Sequence, residues 1–144
     1  MVEIINDYLT YGDILIEPSY SNITSRDEID ITTDFLGLKI KPIISSPMDH
    51  VSSLEMVTAL SFGDYYGIFH RFGNRDGLTN DIKSALTLNT QKFIDFKKII
   101  NFGVAIGVKD LTTIDWLMSL PPLHSICIDV AHGDHKLVID RISL

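Results

Sequence analysis

The alternation of apolar and polar positions changes character near residue 40. Before it, "DILIEP" reads as a short strand stopped by Pro18, which cannot donate to a ladder. "EIDITTDFLGLKI" alternates at Ile29, Ile31 and Thr33, the period of a half-buried strand, and turns at Gly37. Residues 1–40 are therefore expected to form an extended or hairpin lead-in. After it, short apolar runs alternate with helical spacing. "KPIISS" is a β-branched run. "VSSLEMVTALSFG" has a helical stripe at Leu54, Val57 and Leu60, a capping box at Ser52 and Glu55, and a stop at Gly63. "YYGIFH" is the next run. Residues 75–100 predict one or two helices, with Ile82, Ala85 and Leu86 inward in the first part and Phe93, Phe96 and Ile100 in the second. "GVAIGV" precedes a helix with Leu111, Ile114 and Leu117 on one face, broken by a double proline. "HSICIDVA" precedes a helix beginning in "GDHKLVIDRISL".

The order is strand–helix four times, and the apolar strands do not alternate. That combination predicts an α/β fold with parallel strands buried on both faces. Periodicity leaves an open doubly wound sheet and a barrel both available. The sequence reads as one domain over residues 1–144, with the βα units over 41–144 and no repeat, low-complexity tract or flexible linker.

Composition narrows the class. With 144 residues, 45% of them apolar and 22% charged, the chain can bury a core and is not of disordered composition. No apolar run is long enough for a membrane span, and "MVEIINDYL" lacks the features of a secretory leader. A single cysteine cannot form an internal disulfide, which points to a reducing cytoplasm. The formal charge of −7 disfavours nucleic acid and anionic membranes as partners. It does not exclude a nucleotide, because backbone N–H groups can hold phosphates.

Ligands in parallel α/β folds gather where strands end and loops lead into helices. Four loops qualify: "SSPMD", "HRFGNRDG", "GVKD" and "DVAHGDH". In the first, Ser45 and Ser46 can offer hydroxyls, Pro47 fixes the backbone, and the polarizable thioether of Met48 can lie against a purine-like ring. Residue types alone favour the simpler alternative, a capped loop with Met48 plugging the core. Arg71 can pair with a phosphate, although a surface arginine is the commoner fate. "GNRDG" is neither a Walker A loop nor a dinucleotide fingerprint. Asp129, at a strand end before Val130 and Ala131, can accept hydrogen bonds from a ribose. His132 and His135 suggest metal ligation, but no third and fourth ligand follows, and an exposed loop with a helix cap at Asp134 accounts for the same residues. Cys127, between isoleucines, reads as a buried small hydrophobe with a raised pKa and not as a nucleophile.

Together these segments resemble the IMP dehydrogenase/GMP reductase family. The resemblance runs through "LTYGDILIEPSYSNITSRDEIDITT", "KPIISSPMDHV", "YYGIFHRF", "GVAIGV" and "ICIDVAHGDHKLVI", in order, over almost the whole chain. It implies a (β/α)₈ TIM barrel and redox chemistry on purine nucleotides with a nicotinamide cofactor. Only residues 72–101 separate "HRF" from the third strand, too few for the pair of CBS modules many IMP dehydrogenases carry there. "FHRF" and "ICIDVAHG" look like GMP reductases, whereas "SSPMD" is closer to some IMP dehydrogenases, and the balance leans to the reductase.

The resemblance assigns Ser46 and Met48 to the purine nucleotide, GMP or IMP. It assigns Ser25 and Arg26 to NADPH, across a subunit boundary, and Arg71 to a place near the same cofactor, where a cation suits its 2′-phosphate. Asp129, Val130 and Ala131 match the strand end beside the nicotinamide; NAD is the alternative cofactor. The family's nucleophilic cysteine belongs to a later loop, so Cys127 is not that residue and no catalytic residue is assigned. A (β/α)₈ barrel usually takes ~250 residues. The expectation is thus an N-terminal half-barrel of about four βα units, inactive alone and completed by a C-terminal half or by self-association. Two readings stand beside it: a non-catalytic interaction module, and a different chemistry at a His132/His135 metal site.

Overall fold

The computed structural model describes residues 9–91, 101–109, 112–120 and 123–143. They fall into two units divided between Asp30 and Ile31.

In the first unit the backbone is irregular apart from two 3₁₀ turns, Tyr11–Asp13 and Arg26–Glu28. The expected strand at "DILIEP" does not form. Leu15 and Ile16 are almost fully exposed, and among the described residues of this unit no strand pairs with them. Polar side chains tie the turns instead. The Thr10 hydroxyl and N–H both donate to Asp13 at 2.7 Å. The Ser25 hydroxyl accepts from the Asp27 N–H at 3.2 Å.

The second unit begins with a hairpin of β1 (Thr33–Phe35) and β2 (Leu38–Ile40), paired antiparallel. Leu36 and Gly37 form its two-residue turn, with φ of 50° and 80°. Both residues of such a turn need positive φ, which glycine adopts freely and leucine does not. The expected strand start was too early. Ile29 and Ile31 are exposed and precede the ladder.

The remaining elements alternate: α1 (Leu54–Phe62), β3 (Gly67–Phe69), α2 (Arg75–Gln91), β4 (Phe102–Ile106), α3 (Thr112–Met118), β5 (Ser125–Ile128) and α4 (Lys136–Ile142). β3, β4 and β5 are parallel neighbours in that order. "KPIISS" contributes a single parallel bridge, Ile44 to Tyr66, rather than a full strand.

The pleat separates the sheet's two faces. Phe69, Phe102, Val104 and Ile106 point to one face, where Val57 of α1, Leu78, Ile82 and Ala85 of α2, and Leu117 of α3 cover them. Leu78, Ile82 and Ala85 repeat at the helical spacing of a single buried stripe. On the other face Ile68 and Ala105 join Tyr66, and Ile40, Phe35 and Leu38 of the hairpin pack over them. α1 approaches β3 so closely that a Cβ on Gly67 would lie 2.8 Å from the Val57 Cα, so glycine is required there. Phe93, Phe96, Ile100 and Leu111 lie outside the described residues.

Two helix starts differ from expectation. The α1 cap is Ser53, whose hydroxyl accepts from the Met56 N–H, because Ser52 is drawn into the interior. The α4 cap is His135, not Asp134; its Nδ1 accepts from the Leu137 N–H at 3.1 Å. Gly63 does close α1.

Candidate functional site

Parallel strands bring their C-terminal ends to one edge, and the loops leaving that edge are the ones singled out from the sequence. Between the ends of β3, β4 and β5 and the starts of α2 and α3 lies a cleft of about 330 Å³. Its walls include Arg71, Arg75, Lys109, Trp116, Asp129 and Val130.

Asp129 is the first residue beyond β5, and its N–H still donates to the Ile106 carbonyl at 2.9 Å. That bond holds its carboxylate beside Arg71, whose Nε donates to Oδ2 at 2.9 Å. Arg71 lies over the ring of the adjacent Phe72, with Cζ 4.9 Å from the centroid. It also passes over Gly107, where an added Cβ would meet Nη1 at 3.7 Å. Arg71 is thus held by a charge, a ring and a backbone, and is not a loose surface cation. The pair is 40% and 29% exposed, so solvent screens it and its stabilising contribution is small.

A second cation is positioned from the helix side. Nη2 of Arg75 donates to the buried Thr113 hydroxyl at 3.2 Å, and its Cζ lies 5.9 Å from the centre of the Trp116 ring. Nε1 of Trp116 donates to Thr79 Oγ1 at 2.9 Å, which orients the indole.

Ser46 and Met48 follow the Ile44 bridge, on the same strand-end side, but neither is a wall of this cleft. The Met48 side chain is 54% exposed, which rules out the core plug. Its backbone shapes the loop: the Met48 N–H donates to Ser46 O, and its carbonyl accepts from Val51 and Ser52. Beneath them Ser45 and Ser52 form a buried knot that the residue-type reading missed. The Ser52 hydroxyl reaches the Ser46 carbonyl at 2.6 Å and the Ser45 hydroxyl at 2.9 Å. Ser45 Oγ also accepts from the Ile68 N–H at 3.0 Å, which fastens the loop to β3.

Ser25 and Arg26 belong to the first unit, where Ser25 caps the turn that Arg26 opens. Val130 lines the cleft; Ala131 is exposed and does not. Among the described residues no three His, Cys, Asp or Glu side chains converge as metal ligands, and His135 is occupied as a helix cap.

Cys127 is half-buried beside Ala105 on the hairpin side of the sheet. Burial, then the nearby Asp129 charge, push its thiol pKa up, so the thiolate is disfavoured. At the opposite end of the sheet the Tyr66 hydroxyl meets His124 Nδ1 at 2.8 Å and Ser125 Oγ at 2.7 Å. Burial raises that phenol's pKa, and the group lies at the strand N-termini, away from the cleft.

The sequence reading missed Arg75, Lys109 and Trp116 as a group. Arg75 sits in "GNRDG", which failed as a fingerprint, and Lys109 in "GVKD", a loop singled out without a residue. A cation following a strand end was the available signal; its convergence on Trp116 was not legible.

The family model of the IMP dehydrogenase / GMP reductase domain matches residues 8–144. A GMP reductase of Onchocerca volvulus is 27% identical, covering 93% of this chain and 37% of its own length. A GMP reductase of Oenococcus oeni is 30% identical over 92% of the chain and 39% of its own length. An inosine-5′-monophosphate dehydrogenase of Methanocaldococcus jannaschii is 28% identical over 92% of the chain and 27% of its own length. The chain therefore spans well under half of these relatives. With the family's domain matched across residues 8–144, the chain belongs to the IMP dehydrogenase/GMP reductase family, whose named members act on purine nucleotides.

Proposed function

We propose that the chain is the N-terminal part of a purine-nucleotide oxidoreductase of GMP reductase type, which converts GMP to IMP and ammonia at the expense of NADPH. The observation that carries this is the cleft at the strand ends, where Arg71 is held by Asp129 and two further cations, Arg75 and Lys109, share the walls. A bank of cations suits a cofactor with an extra phosphate. The volume of about 330 Å³ admits one part of such a cofactor and not the whole of it. Ser46 and Met48 would form the purine wall, and Ser25 and Arg26 would reach the cofactor of a neighbouring subunit.

The barrel reading has support of its own. The parallel strands follow one another without reversal, and α1, α2 and α3 all cover the same face. A doubly wound sheet reverses its strand order and carries helices on both faces. A half-barrel continues in one direction and leaves its inner face for closure; here the hairpin covers part of that face.

On this reading the chain alone does not turn over, because the resemblance places the family's nucleophile in a later segment and burial pushes the thiol pKa of Cys127 up, against nucleophilic use. Co-expression with a C-terminal half from a family relative, followed by NADPH oxidation with GMP, tests it. Activity of the pair and none of either piece is expected. Turnover by the isolated 144 residues would overturn the inactivity. Conversion of IMP to XMP with NAD by the pair would reassign the reaction to the dehydrogenase branch.

A further inference from the structure

Asp129 and Arg71 meet across the strand ends, and the way they meet decides what each can do. The carboxylate Oδ2 accepts from Nε of Arg71 at 2.9 Å. Nε lies on the flank of the planar guanidinium, so this bond turns the terminal Nη edge away from Asp129. We propose that Asp129 is a positioning residue: it does not hold a ribose of the cofactor itself but aims Arg71, whose terminal edge recognises the 2′-phosphate. This rests on the cofactor proposed above, and it replaces the direct ligand contact that the residue type of Asp129 suggested.

Three neighbours fix the aim. Asp129 stands on the ladder and not on a free loop: its N–H donates to the Ile106 carbonyl at 2.9 Å, which extends the β4–β5 pairing by one residue. The Phe72 ring covers one face of the guanidinium, with Cζ 4.9 Å from the centroid. Phe72 is set in turn by His70, whose Nδ1 accepts from the Phe72 N–H at 3.2 Å and whose ring stacks on it at 6.2 Å. Gly107, a wall of the cleft, lies beside Nη1; a Cβ there would already be in contact at 3.7 Å, and a longer side chain would take the guanidinium's space. A guanidinium held in this way loses little freedom when it forms paired bonds to phosphate oxygens. An Asp129 turned to a ribose instead would exchange a bond between two charges for one to a neutral hydroxyl. That exchange favours the pair.

A double-substitution cycle on the full 144-residue chain tests the role, with NADPH and NADH as probes. Trp116 is the chain's one tryptophan and lines the cleft, so quenching of its emission follows both titrations. Arg71→Gln should weaken NADPH binding about tenfold and leave NADH unchanged, the loss of a contact made only to the extra phosphate. Asp129→Asn should weaken NADPH about threefold, again without effect on NADH, and should add nothing in the Arg71→Gln background. A loss of folding would lower both dinucleotides together. A second measurement needs no ligand. The Arg71 Nε–H signal in ¹⁵N NMR spectra, identified by its absence in Arg71→Gln, should exchange faster with water in Asp129→Ala. Additive losses in the double variant mean that Asp129 touches the cofactor itself and overturn the proposal. Equal losses for NADPH and NADH, no binding of either by the wild-type chain, or unchanged Nε–H exchange in Asp129→Ala overturn it too. The function is judged separately. A coupled loss confined to NADPH, without turnover by the reconstituted pair, sinks the oxidoreductase alone. Turnover with additive losses sinks the positioning role alone.

Discussion

Ser52 illustrates how one hydroxyl fixes a loop. It is fully buried and bonded to the Ser46 carbonyl and the Ser45 hydroxyl. Ser52→Ala strands those partners away from water and should lower stability by about 1–3 kcal/mol. A shift of the urea midpoint at constant slope would register it; no shift would mean that water already serves these groups. Cys127 makes a prediction in pH. Its folded-state pKa is raised by burial and then by Asp129. A raised value means that its contribution to stability is fully present below the ordinary thiol pKa, about 8.5, and is lost as pH rises through the folded-state pKa. The alkylation rate plotted against pH should therefore turn at a higher pH than for a free cysteine. Asp129→Asn should move the turn part of the way back. An inflection at or below that of free cysteine would contradict the assigned environment. Of the reading of Cys127 the raised pKa is found, but the residue is half-buried and not buried, and Met48 is exposed where a core plug was expected, because residue type does not fix which side chains the loop turns inward.

At the level of elements, the hairpin turn carries a residue poorly suited to it. Leu36 has φ of 50° and an exposed side chain, so it bears the cost of the left-handed region without compensating burial. Leu36→Asn gives the Asn-Gly pair this turn favours and should stabilise by roughly 1 kcal/mol, read as a rise in Tm. A fall in Tm would mean that Leu36 makes contacts that matter more than its backbone strain. Helix existence was legible from periodicity: of the expected stripe, Ile82 and Ala85 are buried against the sheet, Leu86 is only partly buried there, and Leu78 joins them. Helix starts were less so. Ser52 and Ser53 are equally good caps by type, and the interior knot at Ser45 decided between them. The "DILIEP" strand failed for a related reason: β propensity has no effect without a partner strand.

For the molecule as a whole, the decisive feature is an open edge. Among the described residues β5 pairs only with β4, and Ile126 on it is 52% exposed. Near it Leu117, Met118, Leu120, Leu123 and Ile126 line an apolar hollow of about 550 Å³. An unpaired parallel edge with an apolar flank favours association. Sedimentation of the chain should show species heavier than a monomer, and Ile126→Lys should shift them toward monomer. A wild-type chain that stays monomeric at high concentration, with Ile126→Lys unchanged, would remove the expectation that this edge needs cover.

The chain's order of apolar runs and helical stripes determined the α/β class, the parallel strands and the loops at which to look, because those depend on local periodicity and on chain order. The quoted motifs determined the family. Tertiary structure alone decided that three helices share one face, that Arg71 meets Asp129 across 58 positions, and that Arg75 and Lys109 open onto one cleft with Trp116. Those facts depend on how strands are placed side by side, and strand neighbours are selected by burial and hydrogen bonding between segments far apart in the chain, which no local pattern encodes.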